Sequence, residues 1–185
     1  MKRIVDLCGA LIAFVLFLPV MIVAVIAIKI TTKGPVIFKQ KRIGLHGEEF
    51  YMYKFRSMIV QDEEEERKAW TREDDPRITP IGRILRNANI DELPQLVNVM
   101  KGEMSLVGPR PERPQFVGKF KNEIPRYMVR HEVRPGITGW AQINGYRGDT
   151  SLQKRIEYDL YYIENWTLGF DIKILVMTFL KEFCI

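Results

Sequence analysis

A chain of 185 residues is sized for one compact domain plus a terminal appendage, and its two cysteines and two histidines are too few and too scattered for a structural zinc site. Hydrophobic residues make up 46% and charged residues 28%, a globular average that conceals a split: no charge falls between Leu7 and Ile28, whereas residues 29–155 are densely charged. The net charge of +5 favours anionic partners, whether nucleic acid, phospholipid headgroups or phosphorylated small molecules.

Lys2 and Arg3 open an apolar run that closes at Lys29 and Lys33. The run is too long for a secretory signal core and ends in no small-residue cleavage site, but its length suits a bilayer. Pro19 falls near its middle, where proline bends or breaks a helix. Positive charge at both ends favours placing both in the cytoplasm. A re-entrant helix that enters, bends at Pro19 and returns to the same face satisfies both observations, with a straight span as the alternative. Cys8 and Cys184 sit in the two apolar terminal segments and read as reduced thiols.

Gly34-Pro35 ends this segment, dividing a membrane-embedded region, 1–33, from a cytoplasmic domain, 34–185. Val36-Ile37-Phe38 reads as a short strand, residues 39–44 as a basic turn and 50–55 as a second strand. The acidic stretch 61–67 reads as a solvated helix, and 71–80, with two prolines, as a loop. Ile81, Ile84, Leu85 and Ala88 share a helical face, and a further helix over 96–100 should stop at Gly102. Pro109, Pro111, Pro114, Pro125 and Pro135 impose short helices and rigid turns. Residues 135–139 read as a turn into a strand over 140–143. Amphipathic helices follow over 152–166 and 168–185, the second apolar enough to lie in a membrane interface or pack on the domain. The expected fold class is α/β: a small irregular domain of short helices and few strands, a re-entrant N-terminal membrane helix and amphipathic C-terminal helices.

Adjacent carboxylates precede a proline in Asn89-Ile90-Asp91-Glu92-Leu93-Pro94-Gln95. Proline prefers the first helical turn, so Asp91 and Glu92 are expected near a helix start, where free N–H groups favour anions. Asp91 is then either a helix cap or a reactive group. Arg83 and Arg86 precede the pair, and Arg110 follows between Pro109 and Pro111, on a backbone stiffened from both sides. A guanidinium so held suits paired hydrogen bonds to phosphate, with an ion pair to Glu112 or Glu103 as the plainer reading. Lys54 and Arg56 add cations, and the set reads as a diphosphate site. No P-loop, dinucleotide-binding turn or Gly-x-Ser-x-Gly elbow is present. Nucleic acid would use the same basic residues, but the apolar N-terminus argues against it.

These motifs are ordered as in a known family. Lys54-Phe55-Arg56-Ser57-Met58, Asp91-Glu92-Leu93-Pro94-Gln95, Gly108-Pro109-Arg110-Pro111 and Arg134-Pro135-Gly136-Ile137-Thr138-Gly139-Trp140-Ala141-Gln142 together resemble the bacterial sugar transferases, monotopic polyprenyl-phosphate phosphoglycosyl transferases. The likeness extends from Lys2-Arg3 to Asp171-Ile172-Lys173, departing at Leu18, where some relatives carry serine before the proline. It implies transfer of a sugar-1-phosphate from a UDP-sugar to polyprenyl (undecaprenyl) phosphate at the cytoplasmic face of the bacterial inner membrane, initiating exopolysaccharide or other glycoconjugate synthesis. It implies Asp91 as nucleophile and Glu92 as the residue that binds Mg2+. Lys54, Arg56, Arg86, Arg110 and Arg147 would bind substrate, with Asp159 a further member. Membrane lipid is the expected surroundings, nucleic acid is not an expected partner, and self-association is left open. Asn144-Gly145-Tyr146-Arg147-Gly148-Asp149-Thr150 resembles the hexose-1-phosphate members, which favours glucose or galactose over an acetamido sugar.

Overall fold

The structure, a computed structural model, describes residues 1–59, 75–148 and 150–183. The acidic helix expected over 61–67, residues 71–74 of the expected loop, Asp149 and Cys184 lie outside the described residues.

The apolar run forms one helix, α1 (Lys2–Thr31), with Pro19 standing inside it. Thirty residues at helical rise extend about 45 Å. Asp6, Ala10, Ala24 and Ile28 are buried and Ala13, Phe14, Phe17 and Met21 half-buried, all at three- and four-residue steps. One stripe therefore docks along the helix, on both sides of Pro19, while the remaining surface is apolar and exposed. By length and composition α1 is able to cross a membrane.

Its two ends are tied to the same body. Lys2 Nζ donates to Asp171 Oδ2 (2.6 Å) and to the Val107 carbonyl (3.1 Å). Arg3 donates to the Val99 and Met100 carbonyls at 2.6 and 2.9 Å, meeting the orphan acceptors at the end of another helix. Beyond the far end of α1, Thr32 and Lys33 offer their carbonyls to Arg56.

Strands β1 (Ile37–Ile43) and β2 (Glu49–Phe55) form an antiparallel hairpin in which Ile37 faces Phe55 and Ile43 faces Glu49. The basic turn expected over 39–44 is thus largely strand. Lys39 and Lys41 point outward, their ammonium groups over the rings of Tyr53 and Tyr51, so the alternation is written in cations and not in polar against apolar. Helix α2 (Pro80–Asn87) starts on Thr79, whose Oγ1 accepts from Gly82 N (3.0 Å), and α3 (Gln95–Lys101) stops at Gly102, φ 90°. Strand β3 (Ser105–Val107), α4 (Pro114–Glu123), β4 (Gly136–Thr138), α5 (Trp140–Ile143), α6 (Leu152–Glu164) and α7 (Leu168–Phe183) complete the α-helices and strands among the described residues.

The strand expected over 140–143 lies earlier, at β4, which pairs in parallel with β3. Glycine permits the pairing: a Cβ on Gly136 would stand 2.1 Å from the Gly108 nitrogen. Trp140 instead turns into α5 and sets its ring edge-on to Phe170, centroids 5.0 Å apart.

Two packed clusters on α1 place the rest. Ala10 meets Phe50, Met52, Leu96, Val99 and Met104. Ala24 and Ile28 meet Phe55 and Leu85, with Ile90 and Leu93 against them.

Candidate active site

The carboxylate pair lies near a helix start, as expected, but on a 3-10 turn of its own just before α3. Asn89 takes a left-handed conformation (φ 50°), Ile90–Glu92 forms its own 3-10 turn, and Leu93 and Pro94 lead on into α3. Asparagine tolerates that conformation better than most residues. Ile90 and Leu93 pack into the cluster with Ala24, Ile28, Phe55 and Leu85, fixing the turn between them.

Glu92 is fully engaged. Lys54 Nζ reaches its Oε1 at 2.7 Å, Arg110 Nη2 reaches the same oxygen at 2.6 Å, and Arg110 Nη1 lies 3.3 Å from Oε2. Burial opposes charge on Glu92, but Arg110 and Lys54 outweigh it and hold the carboxyl well below its ordinary value. Burial lowers the Lys54 ammonium, with Glu92 working the other way. The guanidinium of Arg110 is raised by Glu92. The plainer reading of Arg110, a pair with Glu112 or Glu103, is therefore replaced by a fork on Glu92.

Asp91 is the opposite case. Five aspartates are buried among the described residues: Asp6, Asp75, Asp91, Asp159 and Asp171. Four are held: Asp6 by Ser105 and the Leu106 N–H, Asp75 by Arg77, Asp159 by Arg130, and Asp171 by Lys2, Tyr162 and Trp166. Asp91, 7% exposed, accepts no hydrogen bond and forms no ion pair with a described residue. Burial pushes its carboxyl above the ordinary value and Glu92 adds to this, while Lys54, Arg86 and Arg110 pull the other way. A desolvated carboxylate that no described protein group holds, at the edge of a cation cluster, is a candidate functional group and caps no helix.

Arg110 is itself braced. Arg130 Nη2 donates to the Arg110 carbonyl (2.8 Å) and to Asp159 Oδ2 (2.7 Å), with both side chains of the ion pair 2% exposed. Arg42 donates to the Pro111 carbonyl (2.9 Å), and Glu112 sits between Arg42 (3.4 Å) and Arg155 (3.7 Å). Arg155 also donates to the Gly148 carbonyl (2.5 Å), tying down the loop that carries Arg147.

Of the residues singled out in the sequence, Asp91, Glu92, Lys54 and Arg110 come together, and Arg86, in the last turn of α2, lies within electrostatic reach of Asp91. Arg147 is exposed on its loop. Asp159 stands behind Arg110, because the buried Arg130 engages its carboxylate. Arg56 is not brought to the pair: its guanidinium is satisfied by Thr32 and Lys33. Pro19 is on the exposed side of α1. Sequence reasoning missed Arg42, Arg130 and Arg155, and named Glu112 only as a partner for Arg110. For Arg155 a signal existed, since it and Asp159 interrupt the inward face of α6 that Ile156 and Tyr162 define.

Among the described residues no group of three His, Cys, Asp or Glu side chains is placed to hold a metal ion. Two carboxylates on one turn fit magnesium shared with substrate phosphates, and not a metal caged by protein alone.

Residues 1–184 match the family model described as bacterial sugar transferase. A UDP-glucose:undecaprenyl-phosphate glucose-1-phosphate transferase of Xanthomonas campestris pv. campestris is 47% identical over 181 residues, covering 96% of this chain and 37% of that protein. The protein of that name in Escherichia coli (strain K12) is 44% identical, covering 99% and 40%. A UDP-N-acetylgalactosamine-undecaprenyl-phosphate N-acetylgalactosaminephosphotransferase of Aeromonas hydrophila is 47% identical, covering 96% and 42%. The chain thus spans about two fifths of the length of these relatives. With the match running from α1 through the carboxylate turn to the C-terminal helices, the chain belongs to the bacterial sugar transferase family.

Proposed function

We propose that the protein transfers a sugar-1-phosphate from a UDP-sugar to undecaprenyl phosphate, releasing UMP, in two displacements at one phosphorus. The observation that carries this reading is the contrast on one turn between Asp91, buried and unpartnered, and Glu92, clamped by Lys54 and Arg110. An Asp91 oxygen attacks the phosphorus bonded to the sugar, the bond to the UMP oxygen breaks, and an aspartyl phosphosugar forms. A lipid phosphate oxygen then attacks the same phosphorus, and Asp91 departs as a carboxylate. Acyl phosphate and pyrophosphate are both high-energy anhydrides, so the covalent stage conserves the bond.

The cations supply the grip. Lys54, Arg86 and Arg110 outnumber the two carboxylates, and a diphosphate offers them the geometry that Glu92 now offers Arg110. Glu92, with Asp91 beside it, would hold Mg2+ against the phosphate oxygens, and the ion's chemistry there is charge neutralisation. Arg147, on the loop tied by Arg155, is assigned to the donor's far end.

The membrane arrangement is part of the proposal. Both ends of α1 are bonded to one charged domain, so a straight crossing would draw that domain into hydrocarbon. A helix embedded from the cytoplasmic face, with its outer surface in lipid and α7 in the interface, avoids this. The exposed side of α7 offers Ile172, Val176, Phe179 and Leu180.

Glucose or galactose is the favoured sugar, from the form of residues 144–150. The Aeromonas relative, equally similar and named for N-acetylgalactosamine, supports a second reading with an acetamido donor. The test presents detergent-solubilised protein with undecaprenyl phosphate, magnesium and each UDP-sugar in turn. UMP released only when lipid and protein are both present in multiple-turnover conditions is expected, and the best donor identifies the sugar. Release of UDP would replace the proposal with ordinary glycosyl transfer.

A further inference from the structure

Arg56 stands out because cation density in the sequence assigns it to substrate, whereas its bonds lead away from substrate. Its Nη1 donates to the Lys33 carbonyl (2.9 Å), and its Nη2 donates to the Thr32 carbonyl (3.0 Å) and Thr32 Oγ1 (2.6 Å). Although Lys33 is exposed and Thr32 half-buried, Arg56 is 6% exposed, so its guanidinium is shielded by the chain. Its own N–H donates to the Val36 carbonyl (2.8 Å), closing the start of the hairpin.

Thr32 and Lys33 directly follow the helix that carries the apolar surface. Carbonyls past a helix end lack helical partners, and a guanidinium fork is a rigid way to satisfy two at once. Arg56 also follows β2 directly, two residues beyond Lys54, about 7 Å at strand rise. Phe55 between them packs with Ala24 and Ile28 of α1 and with Ile90 and Leu93, which flank the carboxylate pair. One apolar cluster and one polar bolt thus join the end of the membrane helix to Lys54 and to the turn of Asp91.

We infer that Arg56 is a positioning residue that sets the height of Asp91 relative to the embedded helix, and so acts on the attack by lipid phosphate and not on the attack upon the nucleotide donor. This rests on the two-displacement reading above. A soluble UDP-sugar reaches the site from water wherever the site stands. A lipid phosphate is held at headgroup level, so misplacement by about 1 Å or more penalises that acceptor alone.

The experiment separates the two displacements in full-length protein reconstituted in lipid nanodiscs. UDP-sugar alone gives a single-turnover release of UMP and an Asp91 adduct visible by intact mass; undecaprenyl phosphate then discharges it. Arg56→Gln is expected to form the adduct within about 2-fold of the wild-type rate and to lose about 10-fold or more in discharge by undecaprenyl phosphate. Discharge by a short, water-soluble prenyl phosphate should stay near wild type. Thr32→Val, which removes one acceptor and leaves the backbone, should shift the ratio the same way by a smaller factor, and it decides the matter if Arg56→Gln does not fold. Equal losses in both displacements, or an unchanged ratio in the variant that folds, would overturn the inference. An absent adduct in the wild type would instead remove the two-displacement reading, and that is seen before any variant is made.

Discussion

Asp6 and Asp91 are two aspartates of nearly equal burial, 4% and 7% exposed, in regions that use charge in opposite ways. Asp6 lies on the docked stripe of α1, where the Ser105 hydroxyl stands 2.9 Å from both its oxygens and the Leu106 N–H donates at 3.0 Å. Around it Lys2 and Arg3 are likewise spent on carbonyls and on Asp171. In the turn of Ile90–Glu92 the same strategy covers Glu92 and stops one residue short. Burial is common to the structural acid and the proposed nucleophile. What separates them is what meets the oxygens: protein groups hold those of Asp6, whereas those of Asp91 are held by no described residue and stay open to solvent.

The sharpest way to break this contrast is to neutralise each acid. Asp91→Asn is expected to lower UMP release at least about 1,000-fold with the fold intact by circular dichroism, whereas Asp6→Asn should stay within about 3-fold. Similar losses in both would erase the distinction. Next in size, Glu92→Gln should reduce kcat about 100-fold, since a neutral amide no longer organises the two cations or favours magnesium. In EDTA the same variant should bind UDP more tightly than wild type by titration calorimetry, because Lys54 and Arg110 are released to the phosphates. Weaker binding there would mean that Glu92 supports the anion site directly. Smaller again, Asp6→Ala strands the Ser105 hydroxyl and the Leu106 N–H, and should cost about 2 kcal/mol, read as a melting point roughly 4–8 °C lower in detergent.

The smallest effect concerns pH. The folded protein holds the Asp91 proton more tightly than the unfolded chain does, so ionising Asp91 subtracts stability above the ordinary aspartate range and nothing below it. Asp91→Asn should therefore melt roughly 1–3 °C above wild type at pH 7, with the gap closing as pH falls toward 4. Glu92 runs the other way: its depressed value adds stability above the ordinary glutamate range, lost as pH falls through the folded value. The acid limb of UMP release should begin above the ordinary aspartate range, because the nucleophile must be ionised to attack.

Much of the charged cluster was legible because its members are marked locally. Asp91, Glu92 and the proline-held Arg110 stand out by residue type and spacing, as does the stop at Gly102, whereas the cap at Thr79 fell inside the expected loop. What stayed hidden depends on residues far apart in the chain. Lys39 to Arg42 read as a turn because cations conceal a strand's alternation unless the tyrosines they cover are known to lie opposite. The strand at Gly136–Thr138 exists only because Gly108 lets a second backbone come close. Arg56 looked like a substrate ligand since nothing local announces that its partners are the carbonyls of Thr32 and Lys33. Asp159 was found but misread, because a buried arginine 29 residues away, Arg130, turns it into a brace.

The glycine contact has a consequence for how the molecule can vary. A Cβ on Gly139 would stand 2.2 Å from the Gly108 oxygen, as one on Gly136 would stand 2.1 Å from the Gly108 nitrogen, so backbone meets backbone there. Gly118, on α4, has nothing within 4 Å of where its Cβ would go. In a saturation library the first three positions should be nearly intolerant and Gly118→Ala neutral or gainful, since alanine is the better helix former. Arg110, two residues from Gly108, is thus hung from a joint that evolution cannot easily adjust, which leaves changes of sugar preference to be written elsewhere, on loops with room for new side chains.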